Sequence, residues 1–201
     1  MSYTYKLTEE ISRWAFEIHI KNNPEWWIAF TNPTAGPWKR LESINSNGLK
    51  GEVYRFDRDE KRPDIVIIND KLNAIIIFEA KDSLDKLINQ TQAQKSCLVI
   101  DDMAKTLAGI KDNLFWGSRH LYKIYNGLLW GSMEEANHSE INGTFNTYST
   151  ELKNINSIVD RSIQIGIEST KDKLENIHLH FHSNSKSDES KSLLKSLQLS
   201  K

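Results

Sequence analysis

Leu7, Ile11, Trp14, Ala15 and Ile18 recur at helical spacing, which predicts an amphipathic helix over residues 7–22. Thr8 or a neighbour supplies its cap and Pro24 its stop. Residues 24–40 are aromatic and punctuated by proline. They read as packed loop and short helix, with Trp26, Trp27 and Trp38 packing into the core. Asn47-Gly48 marks a turn. Three strands are expected next, over 52–56, 64–68 and 74–78. The last two are apolar on both faces, which suits the middle of a sheet covered on either side. The polar stretch 69–73 turns the chain between them.

After Lys81 the period changes. Asp82 or Ser83 caps a helix carrying Leu84, Leu87, Ile88 and Thr91. Residues 97–100 fit a strand or a helical turn, and Met103, Leu107 and Ile110 mark a further helix. Residues 113–160, rich in Asn, Gly, Ser and Thr, predict few elements. Two late strands are expected at 162–167 and 176–182. A serine-rich linker over 183–190 leads to a short helix over 188–199 with Leu193, Leu194 and Leu197 inward.

Composition narrows the classes. At 201 residues, with 38% hydrophobic and 26% charged, the chain fits one globular domain over 1–182 with a small appendage over 183–201. The single cysteine, Cys97, excludes an internal disulfide framework and a cysteine-based zinc ribbon, and reads as a small buried residue. No apolar run approaches the roughly 20 residues of a membrane span, and the first seven residues lack a signal-peptide core. A cytoplasmic protein with no membrane partner is expected. A net charge of -1 gives no chain-wide basic footprint, so any polyanion would be held by local patches.

The chemistry concentrates at the end of the 64–78 hairpin. If residues 69–73 turn the chain, partners sum to 143. Ile68 then faces Ile75, Val66 faces Ile77, and Asp64 faces Glu79, with opposed Cβ atoms about 5 Å apart. Lys81 lies two residues past Glu79 on the same face. Two carboxylates this close repel unless a cation sits between them. Oxygen ligands of this kind suit Mg²⁺. A lysine beside the metal would bond a water and a phosphate oxygen, which points to phosphodiester hydrolysis.

Pro63-Asp64, fourteen residues, then Glu79-Ala80-Lys81 resembles the signature of the PD-(D/E)XK nuclease superfamily. The resemblance covers about residues 52–100. It implies an α/β/α sandwich with a mixed central sheet flanked by helices, and Mg²⁺-dependent cleavage of double-stranded DNA. It also implies that Asp64, Glu79 and the Ala80 carbonyl are metal ligands and that Lys81 orients or activates the attacking water. Many members carry a further acid on the first helix, where Glu10 or Glu17 would match, or on the preceding strand, where Glu52 would. The sequence leaves these three open.

No Gly-x-x-x-x-Gly-Lys-Ser/Thr loop occurs, and about a hundred residues remain for recognition and dimerisation. A type II restriction-like endonuclease is therefore expected. It would act as a homodimer, because a palindromic target mirrors twofold symmetry. The alternatives are a structure-specific repair or recombination nuclease and a non-catalytic binding module. Recognition is expected from about 111–160, with Arg119 favoured and with Asn137 and Asn142 as further DNA contacts. Gln90 and Gln94 share one face of the helix after the motif and are further candidates. His178, His180 and His182 alternate with Leu179 and Phe181 and read as the polar face of a half-buried strand.

Overall fold

A computed structural model describes residues 7–31, 62–112, 114, 116–133, 135–171 and 176–199. The expected strand at 52–56, together with Glu52 and Trp38, lies outside them. The protein is of the α/β class, a six-stranded mixed sheet with helices packed against it.

Helix α1 (Glu9–Asn22) is capped by Thr8, whose Oγ1 accepts the Ile11 N–H at 3.3 Å. Its buried face is not the predicted stripe. Ser12, Arg13, Phe16 and Ile20 are buried, whereas Trp14 is 60% exposed and Ile18 is exposed as well. Strand β1 (Trp27–Thr31) forms one edge of the sheet among the described residues and pairs antiparallel with β2 (Ile65–Asn69). Strand β3 (Ala74–Lys81) pairs antiparallel with β2 in the predicted register, Ile68 facing Ile75 and Val66 facing Ile77. Asn69 Oδ1 accepts the Leu72 N–H at 2.9 Å in the turn, and Asn73 takes a left-handed φ of 51° that asparagine tolerates.

The helix expected after Lys81 is two helices. Helix α2 (Leu84–Ile88) stops at Asn89, and that residue caps α3 (Gln90–Gly109) by accepting the Gln92 N–H. Residues 97–100 are helical within α3. A 3₁₀ turn (Gly117–Leu121) precedes β4 (Lys123–Ser132), followed by α4 (His138–Asn154). Both β4 and α4 lie in the stretch that predicted few elements. Strand β5 (Asp160–Lys171), β6 (Ile177–Ser183) and α5 (Asp188–Gln198) follow.

The strands lie in order β1-β2-β3-β4-β5-β6. β3, β4 and β5 run parallel and the outer pairs antiparallel. Alternation along β3 sends Ile75 and Ile77 into one core with α2, α3 and α4. Ile76 and Phe78 enter a second core with Phe16 and Ile20 of α1 and Leu193 and Leu197 of α5. The last helix is docked by Trp26 Nε1, which donates to Ser196 Oγ at 3.0 Å. Cys97 is buried as expected, and burial pushes its thiol pKa up to about 12.

Two glycines fit β4 to its neighbours. A Cβ on Gly127 would come within 2.4 Å of the Phe78 ring, and one on Gly131 would collide with Leu7 and Ser12. The second contact pins the N-terminus of α1 at the C-terminal end of the parallel strands. No helix among the described residues is long and apolar enough to cross a membrane.

Candidate active site

Asp64 sits one residue ahead of β2, and its N–H donates to the Phe78 carbonyl at 2.9 Å. The ladder in the predicted register ends at Ile65 facing Phe78, and the Asp64 bond falls one residue out of it. Asp64 Oδ2 accepts the Ala80 N–H at 2.7 Å, which fixes the carboxylate against β3 beside Glu79. Both acids are 7% exposed. Burial, with Glu79 adding to it, raises the Asp64 pKa to about 7 against the pull of the Ala80 N–H and Lys81.

Lys81 completes the cluster. Its Nζ donates to Glu79 Oε1 at 2.7 Å and to the Ala80 carbonyl at 2.6 Å. Burial alone would lower its pKa. The carboxylates of Glu79, Asp64 and Glu9 outweigh that and raise it, so the side chain is a firm cation.

The first-helix acid at this cluster is Glu9, one position before a predicted candidate. Its Oε2 lies 4.0 Å from Lys81 Nζ. Burial raises the Glu9 pKa, with Glu79 adding and Lys81 opposing. Glu10 is exposed. Glu17 is engaged elsewhere, accepting from Thr31 Oγ1 at 2.7 Å and lying 3.6 Å from Arg13.

The glutamine that reaches the cluster is Gln92. Its Nε2 donates to Glu79 Oε1 at 3.4 Å and to Ser96 Oγ at 3.0 Å. Gln90 and Gln94 are exposed on the outer face of α3. Gln92, Lys95 and Ser96, at helical spacing, line one wall of a cleft of about 400 Å³ that also holds Arg62, Asp64, Glu79 and Lys81. Sequence reasoning missed Glu9, Gln92 and Lys95. The break at Asn89, an N-cap residue type, was the signal that resets the phase of α3.

The structure does not bring the proposed base-reading residues to this cleft. Arg119 lies at the opposite end of β3, where its Nε and Nη2 donate to Asp70 at 2.7 and 2.8 Å and its guanidinium covers Trp27. At about 3.3 Å per residue, the seven steps from Ala74 to Lys81 put the two ends roughly 23 Å apart. Asn137 caps α4, accepting the Glu140 N–H at 3.0 Å, and Asn142 is exposed on that helix. Of the strand histidines, His178 is exposed and His180 bonds Thr170 Oγ1 at 2.8 Å. His182 stacks on Trp130 with its Nε2 3.4 Å from Glu168 Oε2. Glu168, fully buried, was not anticipated.

Compared with known proteins, the chain matches no family model, no curated protein and no solved structure.

The donor set was tested for a divalent cation on its own chemistry. No group of three or more His, Cys, Asp or Glu side chains placed to hold a metal occurs among the described residues. The donors at this cluster are instead two carboxylates and the Ala80 carbonyl. Asp64 Oδ1 and Glu79 Oε2 accept no hydrogen bond among the described residues. Few protein oxygens, all hard, are what Mg²⁺ takes when water and phosphate complete its shell. The residues fit the ion.

Proposed function

We propose that this protein is a Mg²⁺-dependent endodeoxyribonuclease with a restriction-endonuclease-like α/β/α fold. In this reading it cuts double-stranded DNA at a specific sequence as a homodimer, in the manner of a type II restriction enzyme. The observation that carries the reading is Asp64 and Glu79 held side by side at the end of a buried hairpin, with Lys81 bonded to Glu79 and Ala80.

Asp64, Glu79 and the Ala80 carbonyl would hold the ion. When bound, Mg²⁺ lowers the pKa of an attached water and neutralises charge on the reacting phosphate. The rest of the site works by placement. The Ala80 N–H fixes one Asp64 oxygen, leaving the other toward the cleft. Gln92 restrains the Glu79 carboxylate. Lys81 orients the attacking water and stabilises charge building on the phosphoryl oxygens. Lys95 and Arg62 add positive charge along the same cleft, where a phosphate backbone would lie.

Incubation with phage DNA and Mg²⁺, with EDTA and Lys81→Ala controls, tests this. Discrete Mg²⁺-dependent fragments are expected. Smearing or cutting confined to junctions would move the assignment to a structure-specific repair nuclease. No Mg²⁺-dependent cutting at all would overturn it.

A further inference from the structure

Lys81 is bonded to two of the three groups that the reading above gives to the metal, the Glu79 carboxylate and the Ala80 carbonyl. Its ammonium donates to Glu79 Oε1 at 2.7 Å and to the Ala80 carbonyl at 2.6 Å. A lysine ammonium is a compact point charge with three donors, and so can stand in for a small cation. Without it the buried Asp64 and Glu79 would have to share a proton or face each other uncompensated. The stem is flexible and the side chain is 18% exposed, so the group can leave. It also has somewhere to go, since Glu9 Oε2 lies 4.0 Å from the same nitrogen on the α1 side.

We propose that Lys81 is the resident counter-ion of the metal-free site, and that a divalent ion enters by displacing it from Glu79 and Ala80. Displacement swings the ammonium toward Glu9 and the cleft. The residue that serves the phosphate is thus released only once the ion is in place. The inference rests on the metal-dependent reading and adds an order of events to it. It also assigns Glu9 a role, as the partner that keeps the released ammonium paired at the edge of the cleft.

Two measurements on the whole chain without DNA test it. The first is calorimetric titration of Mg²⁺ into the parent, Lys81→Met and Lys81→Gln. Losing a charge-assisted bond to the competing ammonium should tighten binding by about tenfold or more. The second uses the parent labelled with ¹⁵N-lysine. The Lys81 ammonium resonance should be protected from water exchange by its two hydrogen bonds, and should shift or vanish as Mg²⁺ is added. Equal or weaker binding in both variants, or a resonance unchanged at saturation, overturns the displacement and leaves the nuclease reading standing. No Mg²⁺ binding by the parent or either variant removes both.

Discussion

The Gln92 side-chain amide donates to Glu79 Oε1 across 3.4 Å, so helix α3 reaches back to the hairpin whose strands it follows. Its other amide hydrogen goes to Ser96 Oγ. Gln92 therefore restrains a carboxylate without carrying charge itself. Removing such an outer partner typically costs 10–100-fold in metal affinity or activity. Gln92→Ala is expected to lower Mg²⁺-dependent cleavage by about tenfold. Gln90→Ala and Gln94→Ala should leave the rate unchanged, and parallel single-turnover assays separate the three.

The pH dependence of metal-free stability has a defined sign. Asp64 has a pKa raised to about 7 from an ordinary 3.8, so the folded state holds a proton that the unfolded chain loses first. Stability in EDTA should therefore fall as pH rises from about 4 to about 7. Thermal melts should show that slope in the parent and a flatter one in Asp64→Asn. A parent whose Tm climbs across this window while the variant's does not would sink the assignment.

Glu168 is fully buried, with Oε1 accepting the Ala136 N–H at 2.8 Å and Oε2 facing His182. Burial would raise its pKa, but the His182 ring close by, the Ala136 N–H bond and the neighbouring Trp130 outweigh that and hold it below the usual carboxylate range. Its contribution is present above about pH 4.5 and is lost as pH falls through the lowered value. Glu168→Ala should cost about 3 kcal/mol, lowering Tm by roughly 6–12 °C at pH 7. The gap from the parent should narrow in acid.

Arg119 is a clamp between the β2–β3 turn and the 3₁₀ segment. Arg119→Ala should cost about 1 kcal/mol of stability, the range of a partly exposed bidentate pair. It should leave cleavage pattern and rate as they were. A changed fragment pattern in a stable Arg119→Ala protein would return the residue to DNA recognition.

Gly127→Ala should cost about 2 kcal/mol, because the new methyl must displace the Phe78 ring from a filled core. Denaturant unfolding reads this directly. The same change at Gly143, where nothing lies within 4 Å, serves as the control.

The hairpin was legible because two short apolar runs flank a five-residue polar turn, and centring the turn gives the register that faces Ile65 to Ile68 with Ile75 to Phe78. Asp64 lies just past that register, and its bonds to the Phe78 carbonyl and the Ala80 N–H bring it to Glu79. The face of α1 was not legible. Arg13 and Ser12 turn inward, with Arg13 beside Glu17, while Trp14 faces out. An apolar stripe cannot anticipate an inward polar pair. Strand β4 was hidden by Asn126-Gly127, which reads locally as a turn, although Gly127 is required by the ring stacked above it. The inward position of Gln92 was not legible, because the period carried from Leu84 to Thr91 runs across Asn89, where one helix ends and the next begins.

Every hairpin group in the cluster comes from one stretch of chain, 64 to 81, and its spacing is set by hydrogen bonds between two adjacent strands. That makes the chemistry portable. The strands beyond β4 and the helices over them could be rebuilt without changing the distance between Asp64 and Glu79, provided the hairpin stays covered. If the chain is the nuclease proposed above, selection for a new target could work on one part of it while the reaction stays constant in another. Such a division leaves little overall sequence to compare between distant chains that share the same reacting core.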